Sequence, residues 1–172
     1  MRKLSLALLL ALAACAPGFG PNAGYRDTRV DISTRAVLEP ARLAGTWHEV
    51  AGFYDPAASG CALGLTKVEP LPAERLRLTL APCAGLGPRT VIATRGRYPG
   101  RYSVPLPGRL GQPWWVLWVD WDYRVMVIGT PSGRFGAILS RSPQLRHDLS
   151  LAARQILDFN GYDLHRLRAE TH

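Results

Sequence analysis

The chain has 172 residues, 47% of them hydrophobic and 20% charged, the proportions of an ordinary globular protein with one domain's worth of core. Its 17 glycines and 14 prolines suit many short strands joined by turns and disfavour a helical bundle. The formal charge of +8 comes from cations scattered singly, mostly Arg, without a basic run or a DNA- or RNA-binding motif, so charge assigns no nucleic-acid partner.

Met1-Arg2-Lys3 is a positive segment ahead of an eleven-residue apolar run, Leu4 to Ala14. As a helix that run is too short to cross a hydrocarbon core ~30 Å thick, and it has the layout of a secretory signal peptide. Leu12-Ala13-Ala14-Cys15 resembles the bacterial lipobox, in which the Cys is lipidated and becomes the mature N-terminus. Plain Ala-X-Ala cleavage beside an incidental Cys is the competing reading and accounts for fewer of these features. A lipidated Cys15 carries more than one acyl chain. At ~0.8 kcal/mol per buried methylene, two or more chains hold stably where one is marginal. Ala16, not Asp, follows the Cys, which in lipoproteins implies the outer membrane, lipid-anchored and facing the periplasm. Export also implies an oxidising compartment, in which Cys61 and Cys83 can pair.

Residues 1–14 are thus expected to be a signal peptide, and 15–39 a lipidated Cys with a flexible, Gly/Pro-rich tether and arm. The folded domain is expected over 40–168, with a short tail over 169–172. It opens on a strand from Gly45 to Tyr54, with Trp47 near its start, followed by a loop from Asp55 to Gly60. Cys61–Val68 and Arg75–Ala81 read as a hairpin about a turn near Pro72. That register sets Cys61 opposite Cys83, where a cross-strand disulfide is allowed; two separate buried thiols are the alternative, disfavoured by export. Thr90–Arg97 and Arg101–Val104 are short strands. Trp114 to Trp121 holds four of the five tryptophans and is apolar on both faces, so both should be covered. Tyr123–Thr130 and Arg134–Ser140 follow. Ser142-Pro143 reads as the start of a helix, with Leu145, Leu149, Ala152, Ala153, Ile156 and Phe159 on its apolar face and Asn160-Gly161 as its stop. Tyr162–Leu167 is a last strand.

Three motifs stand in order along this pattern: Gly45-Thr46-Trp47 on the first strand, Asp120-Trp121-Asp122-Tyr123 between two late strands, and Arg141 after the next strand. With the helix that follows, they resemble the lipocalin family, and with the lipobox its bacterial outer-membrane lipoprotein (apolipoprotein D-like) branch. The resemblance implies an all-β, eight-stranded antiparallel up-and-down barrel with a C-terminal α-helix and a closing strand. It also implies that Trp47 plugs the closed end with Arg141 across its indole, a structural contact worth ~0.5–2 kcal/mol. Gly45, Asp120 and Tyr123 belong to the same framework. His48 stands where relatives usually carry Tyr, and Ala137 where this branch commonly has a bulky aromatic. Residues 84 to 113 are shorter and richer in Gly and Pro than is typical.

By the family's register and strand alternation, Trp114, Val116, Trp118, Val127, Phe135 and Ala137 are expected to line the ligand cup. Phe53 shares the parity of Trp47, and a bulge would turn it out. Trp115, Leu117 and Trp121 are expected outside, under the helix or at a partner surface; Trp115 and Trp121 would mark a homodimer face if left exposed. The expected ligand is a fatty acid or lysophospholipid, with Tyr102 or Arg101 near its headgroup. An enzyme of isomerase type on this fold needs a poised nucleophile or acid–base pair, and the sequence offers no Ser/His/Asp set, so no catalytic residue is assigned. A haem or metal site would need an inward His; His48 opposes Trp47 in parity and His147 sits on the polar helix face, so no metal or cofactor is expected. A purely structural envelope lipoprotein is the remaining alternative.

Overall fold

The computed structural model describes residues 24–53, 64–82, 87–106, 111 and 113–169. Cys15, Cys61 and Cys83 lie outside them, and with them the expected lipid attachment and disulfide. Among the described residues no helix is long and apolar enough to cross a membrane.

The strands are β1 (Gly45–Thr46), β2 (His48–Gly52), β3 (Leu65–Leu71), β4 (Arg75–Leu80), β5 (Arg89–Arg95), β6 (Arg101–Ser103), β7 (Trp114–Val119), β8 (Val125–Gly129) and β9 (Gly136–Ser140). Helix α1 (His147–Phe159) and the two-residue β10 (Arg168–Ala169) complete the order. From β3 to β9 each strand pairs antiparallel with the next. The first strand is broken at Trp47. Its β1 half pairs with β3, Gly45 opposite Val68, and its β2 half pairs with β9, Gly52 opposite Ala137. One bent strand therefore belongs to both ends of the sheet order and closes it into the expected barrel. Breaking it in two and adding β10, which extends β2 at Gly52, accounts for the ten strands in the sheet.

In an up-and-down barrel, successive connections alternate between the two ends. The turns at 72–74, 96–100 and 120–124 and the 3-10 turn Pro40–Leu43 share the end that holds Trp47. The C-terminal ends of β2, β4, β6 and β8 share the other, which is the mouth.

Three bulges decide which side chains face in. They lie between Glu49 and Ala51, between Leu65 and Lys67, and between Val116 and Trp118. A bulge inserts one residue into one strand and reverses the alternation beyond it. Two clusters result. The inner one holds Trp47, Val116, Val119, Met126, Ile128, Phe135 and Ala137 with the leucines of β3 and β4. The outer one holds Phe53, Leu117, Val125, Val127 and Ile138 under Ala153 and Leu157 of α1.

Several expectations change. Trp118 and Val127 are paired and both belong to the outer cluster, where the cup had been expected to claim them. The bulge on β7 turns Trp118 out relative to Val116, while Val127 faces out by plain alternation on β8, between the inward Met126 and Ile128. Phe53 also lies outside, stacked on Tyr162 at 5.0 Å, turned out by the bulge on β2. The hairpin turns about Ala73 and Glu74, both at positive φ, not about Pro72. Val68 consequently faces Leu78 rather than Leu76, a two-residue slip that preserves facing but alters the register on which the Cys61–Cys83 pairing rested.

The helix starts at His147, four residues past Pro143, with no side-chain cap at Arg146. Ser142 Oγ instead accepts from Gln144 N at 3.3 Å in a bend. Arg141 is tied to the closed end, so the chain must round the barrel before a helix can lie along it. The buried stripe is centred on Ala153 and Leu157, leaving Phe159 exposed. Gly161 at φ +80° ends the helix region as expected. Tyr162 makes only an isolated bridge to Arg26, and the last strand is β10, beyond a 3-10 turn at Leu164–Arg166.

The arm is not loose from Gly24 onward. Tyr25 and Arg26 are buried, and Tyr25 N donates to Gly133 O at 2.6 Å. Arg26 has no carboxylate partner among the described residues; its Nε donates to Asn160 O at 2.9 Å, its Nη1 to Pro131 O at 2.7 Å, and its Nη2 to Val30 O. It thereby ties the arm to the β8–β9 connection and to the C-terminus of α1, whose terminal carbonyls favour a cation.

Candidate functional site: an apolar cup above a Trp47–Arg141 floor

At the closed end Trp47 is buried, and its Nε1 donates to Leu43 O at 2.9 Å. Arg141 Cζ lies 3.8 Å from the centroid of the Trp47 ring. Its guanidinium spans three chain segments, donating to Thr46 O at 2.9 Å, Arg42 O at 2.9 Å and Tyr123 O at 3.3 Å. Burial lowers the Arg141 pKa from its ordinary value. Gly45 sits at φ +108°, and a Cβ there would come 3.1 Å from Arg141 Nη1, so both backbone and space favour glycine.

The Asp120–Tyr123 turn completes this end. Asp120 Oδ1 accepts from Arg124 N at 2.6 Å and Val125 N at 2.8 Å, and Oδ2 accepts from Arg124 Nε at 2.8 Å. Burial pushes the Asp120 carboxyl up, but these hydrogen bonds outweigh it and hold the carboxyl below its ordinary value. Tyr123, at φ +57°, takes Glu39 N on its hydroxyl at 3.0 Å and has Arg42 over its ring at 4.2 Å.

Above this floor is the cup. Leu43, Leu65, Val68, Leu76, Leu78, Ala93, Tyr102, Trp114, Val116, Met126 and Ile128 line it. Trp114 packs edge-on against Phe135 at 5.5 Å, and Phe135 and Ala137 back the wall from the inner cluster. Tyr102 brings the single hydroxyl among the lining side chains. Burial, and then the negative charge of Glu74, push its pKa up to about 12, so at neutral pH it is an uncharged donor and acceptor. The free space is small, about 20 Å³ of room for the centre of a water-sized sphere, little more than one water occupies. The cup is apolar and nearly shut by its own side chains.

Of the residues expected to touch a ligand, Trp114 and Val116 line this space and Phe135 and Ala137 support it, while Phe53, Trp118 and Val127 face away. Arg101 points outward, its Cζ 3.8 Å over the Trp115 ring and 4.8 Å over Tyr98. Trp115 is half-buried there, Leu117 lies in the outer cluster, and Trp121 is 82% exposed. Sequence reasoning missed Leu76 and Leu78, although the alternation Arg75-Leu76-Arg77-Leu78 carried the signal. Met126 and Ile128 were missed because the inward side of β8 was given to Val127, which lies between them. His48 faces Ser140 across the β2–β9 pair, while His147 and His165 are exposed. Among the described residues no three His, Cys, Asp or Glu side chains converge as metal ligands would.

A closed antiparallel barrel with a plugged floor, one apolar cup and one flanking helix defines the cup-shaped, up-and-down barrels. Residues 95–172 match the lipocalin-like domain family. Among solved structures the bovine lipocalin allergen Bos d 2 is similar, with a TM-score of 0.61 and 15% identity over 77% of this chain and 94% of that one. No curated protein matches the chain. The chain thus has the fold of the lipocalins, and the part of it that matches the lipocalin-like family is its C-terminal stretch.

Proposed function

We propose that this lipocalin is anchored to the bacterial outer membrane through a lipidated Cys15 and binds, stores or carries a fatty acid or lysophospholipid in its cup. The cup carries this reading: its lining is apolar side chains and one neutral hydroxyl. Such a wall offers an acyl chain ~25 cal/mol per Å² of apolar surface removed from water and offers a charged ligand nothing. The little free room favours a single chain, one methylene wide, that displaces side chains such as Met126 as it enters. Tyr102 is placed to meet a carbonyl or hydroxyl of the ligand. The charge, length and Cys15 context of the first residues support export and anchoring.

Two other readings share the fold. An enzyme would need a nucleophile–base pair in the cup; the described lining holds only the Tyr102 hydroxyl, whose high pKa makes it a poor base. A structural envelope lipoprotein would leave the cup without a ligand. Titration of the delipidated full chain with fatty acids and lysophospholipids of increasing length, read by Trp fluorescence, separates these readings. Binding should tighten with chain length, by about fourfold per methylene at ~0.8 kcal/mol each, until the cup is filled. A featureless titration for every ligand would sink the binding reading.

A further inference from the structure

The arm re-enters the described structure at the mouth. Gly24 O accepts from Arg166 Nη1 at 3.1 Å, Arg166 lies over the Tyr25 ring at 4.3 Å, and Tyr25 N is bonded to Gly133 on the β8–β9 connection. Arg26, with its three carbonyl acceptors, fixes that position. Nine chain steps separate Gly24 from Cys15, a maximum reach of roughly 30 Å. A domain of about 150 residues is roughly 40 Å across. A lipid on Cys15 can therefore hold the mouth against a membrane, but cannot be drawn down the barrel side to seat the Trp47 end on it.

Charge supports the same orientation independently. The acids that pair with cations on the barrel and helix are Glu39, Glu69, Glu74, Asp120, Asp122 and Asp148. They lie at the closed end or at the start of α1. Around the mouth stand Arg89 at the start of β5, Arg134 on the β8–β9 connection and Arg168 on β10. None of these three has a carboxylate partner among the described residues, and Arg89 Nε is buried without a hydrogen-bond partner there. Near the same end Asp27 pairs with Arg29, Asp163 accepts from the His165 backbone N–H, and Asp31 and Asp158 are exposed; with Arg26 and Arg166 the arginines there still outnumber these carboxylates.

We infer that the mouth of the barrel faces a bilayer surface carrying anionic phospholipid headgroups, which places the cup's opening where an acyl chain can pass between bilayer and barrel. This rests on the anchoring of Cys15 proposed above. The cationic rim meets the headgroups, the docked arm sets the distance, and Trp121 at the far pole stays in water.

Trp121 reports on the far pole, since Trp47 and Trp114 are buried and Trp115 and Trp118 half-buried. The test reconstitutes the mature full chain on vesicles containing anionic phospholipid and follows acrylamide quenching, with the Cys15→Ser chain in solution as reference. A second variant carries Trp121→Phe with Pro82→Trp, which puts the reporter on an exposed position just past β4 at the mouth. The expected result is unchanged quenching of Trp121 and a several-fold loss of quenching for the mouth reporter. That loss should weaken on zwitterionic vesicles and when Arg89, Arg134 and Arg168 are all replaced by Gln. Shielding of Trp121, or of neither reporter, overturns the orientation. Equal shielding on both vesicle types, or after the three Arg→Gln changes, overturns the anionic partner. The mass of the mature chain separates the two claims: a mass without acyl chains on Cys15 refutes the anchoring, and this orientation with it. An acylated chain with the wrong reporter shielded refutes the orientation alone.

Discussion

Arg141 lies over Trp47, 3.8 Å from the ring centroid, and hydrogen-bonds the carbonyls of Thr46 and Arg42, which precede it in the chain. One side chain thus closes the seam where the first strand changes partner and locks the 3-10 turn beneath the cup. Cation–π attraction and the three carbonyl bonds act together, and only a planar fork can make all of them.

Replacing Arg141 by Ala should therefore cost roughly 2–4 kcal/mol, the loss of the ring contact plus carbonyls left partly unpaired. Arg141→Lys should recover less than half of that, because an ammonium cannot span the three acceptors. Urea unfolding followed by Trp fluorescence measures both; stability close to the parent's in Arg141→Lys would contradict the fork.

Ala93 lies on the cup wall and is fully buried. Ala93→Leu should occupy the little free space, weaken acyl-chain binding by tenfold or more and cost about 1–3 kcal/mol through overpacking. Val127→Ala, equally buried but under α1, should cost about 1–3 kcal/mol through its cavity while leaving ligand affinity unchanged. Paired binding and denaturation curves check this; a binding defect in Val127→Ala would return Val127 to the cup.

Arg26→Met should free the arm. It removes the donor for Asn160 O, Pro131 O and Val30 O, at roughly 2–3 kcal/mol for the buried acceptors left open. Trypsin should then cut after Arg29 and Arg35 faster than in the parent chain, with the barrel still folded by circular dichroism. An unchanged cleavage rate would mean that Tyr25 alone holds the arm.

Asp120 gives the acid limb of stability a definite sign. Its folded pKa lies below the ordinary carboxylate value of 3.8, so its contribution is complete above that value. It is lost as pH falls through the folded pKa, where the unfolded chain binds more protons. Asp120→Asn should be less stable than the parent at neutral pH, with the difference narrowing below about pH 4. Thermal midpoints measured from pH 2 to pH 7 test it; a gap that stays constant on acidification would place the stabilisation elsewhere.

The strands were legible in local chemistry, and the barrel and its floor in the resemblance that three short motifs carry. Gly45 is needed at positive φ beside an arginine, Trp47 is a large apolar group at a strand start, and Arg75-Leu76-Arg77-Leu78 alternates with the period of a half-buried strand. The helix was legible in kind and in its Asn160-Gly161 stop. Its start was not, because Ser142-Pro143 is a good local signal that the fixing of Arg141 to the closed end overrides. The arm read as a tether because nothing local shows that Arg26 will find two carbonyls more than a hundred residues away, those of Asn160 and Pro131.

By itself, then, the sequence determined the short strands and the C-terminal helix through periodicity and turn chemistry, and the barrel and its floor through the resemblance that Gly45-Thr46-Trp47, Asp120–Tyr123 and Arg141 carry. Only the tertiary structure decided which side of the wall Phe53 and Trp118 occupy. A bulge inserts a single residue, leaves composition and hydrophobicity untouched, and is imposed by the bending that closes the barrel. Its effect is to exchange inside for outside along the rest of a strand, so the cup's lining is settled by closure and not by the alternation that precedes it.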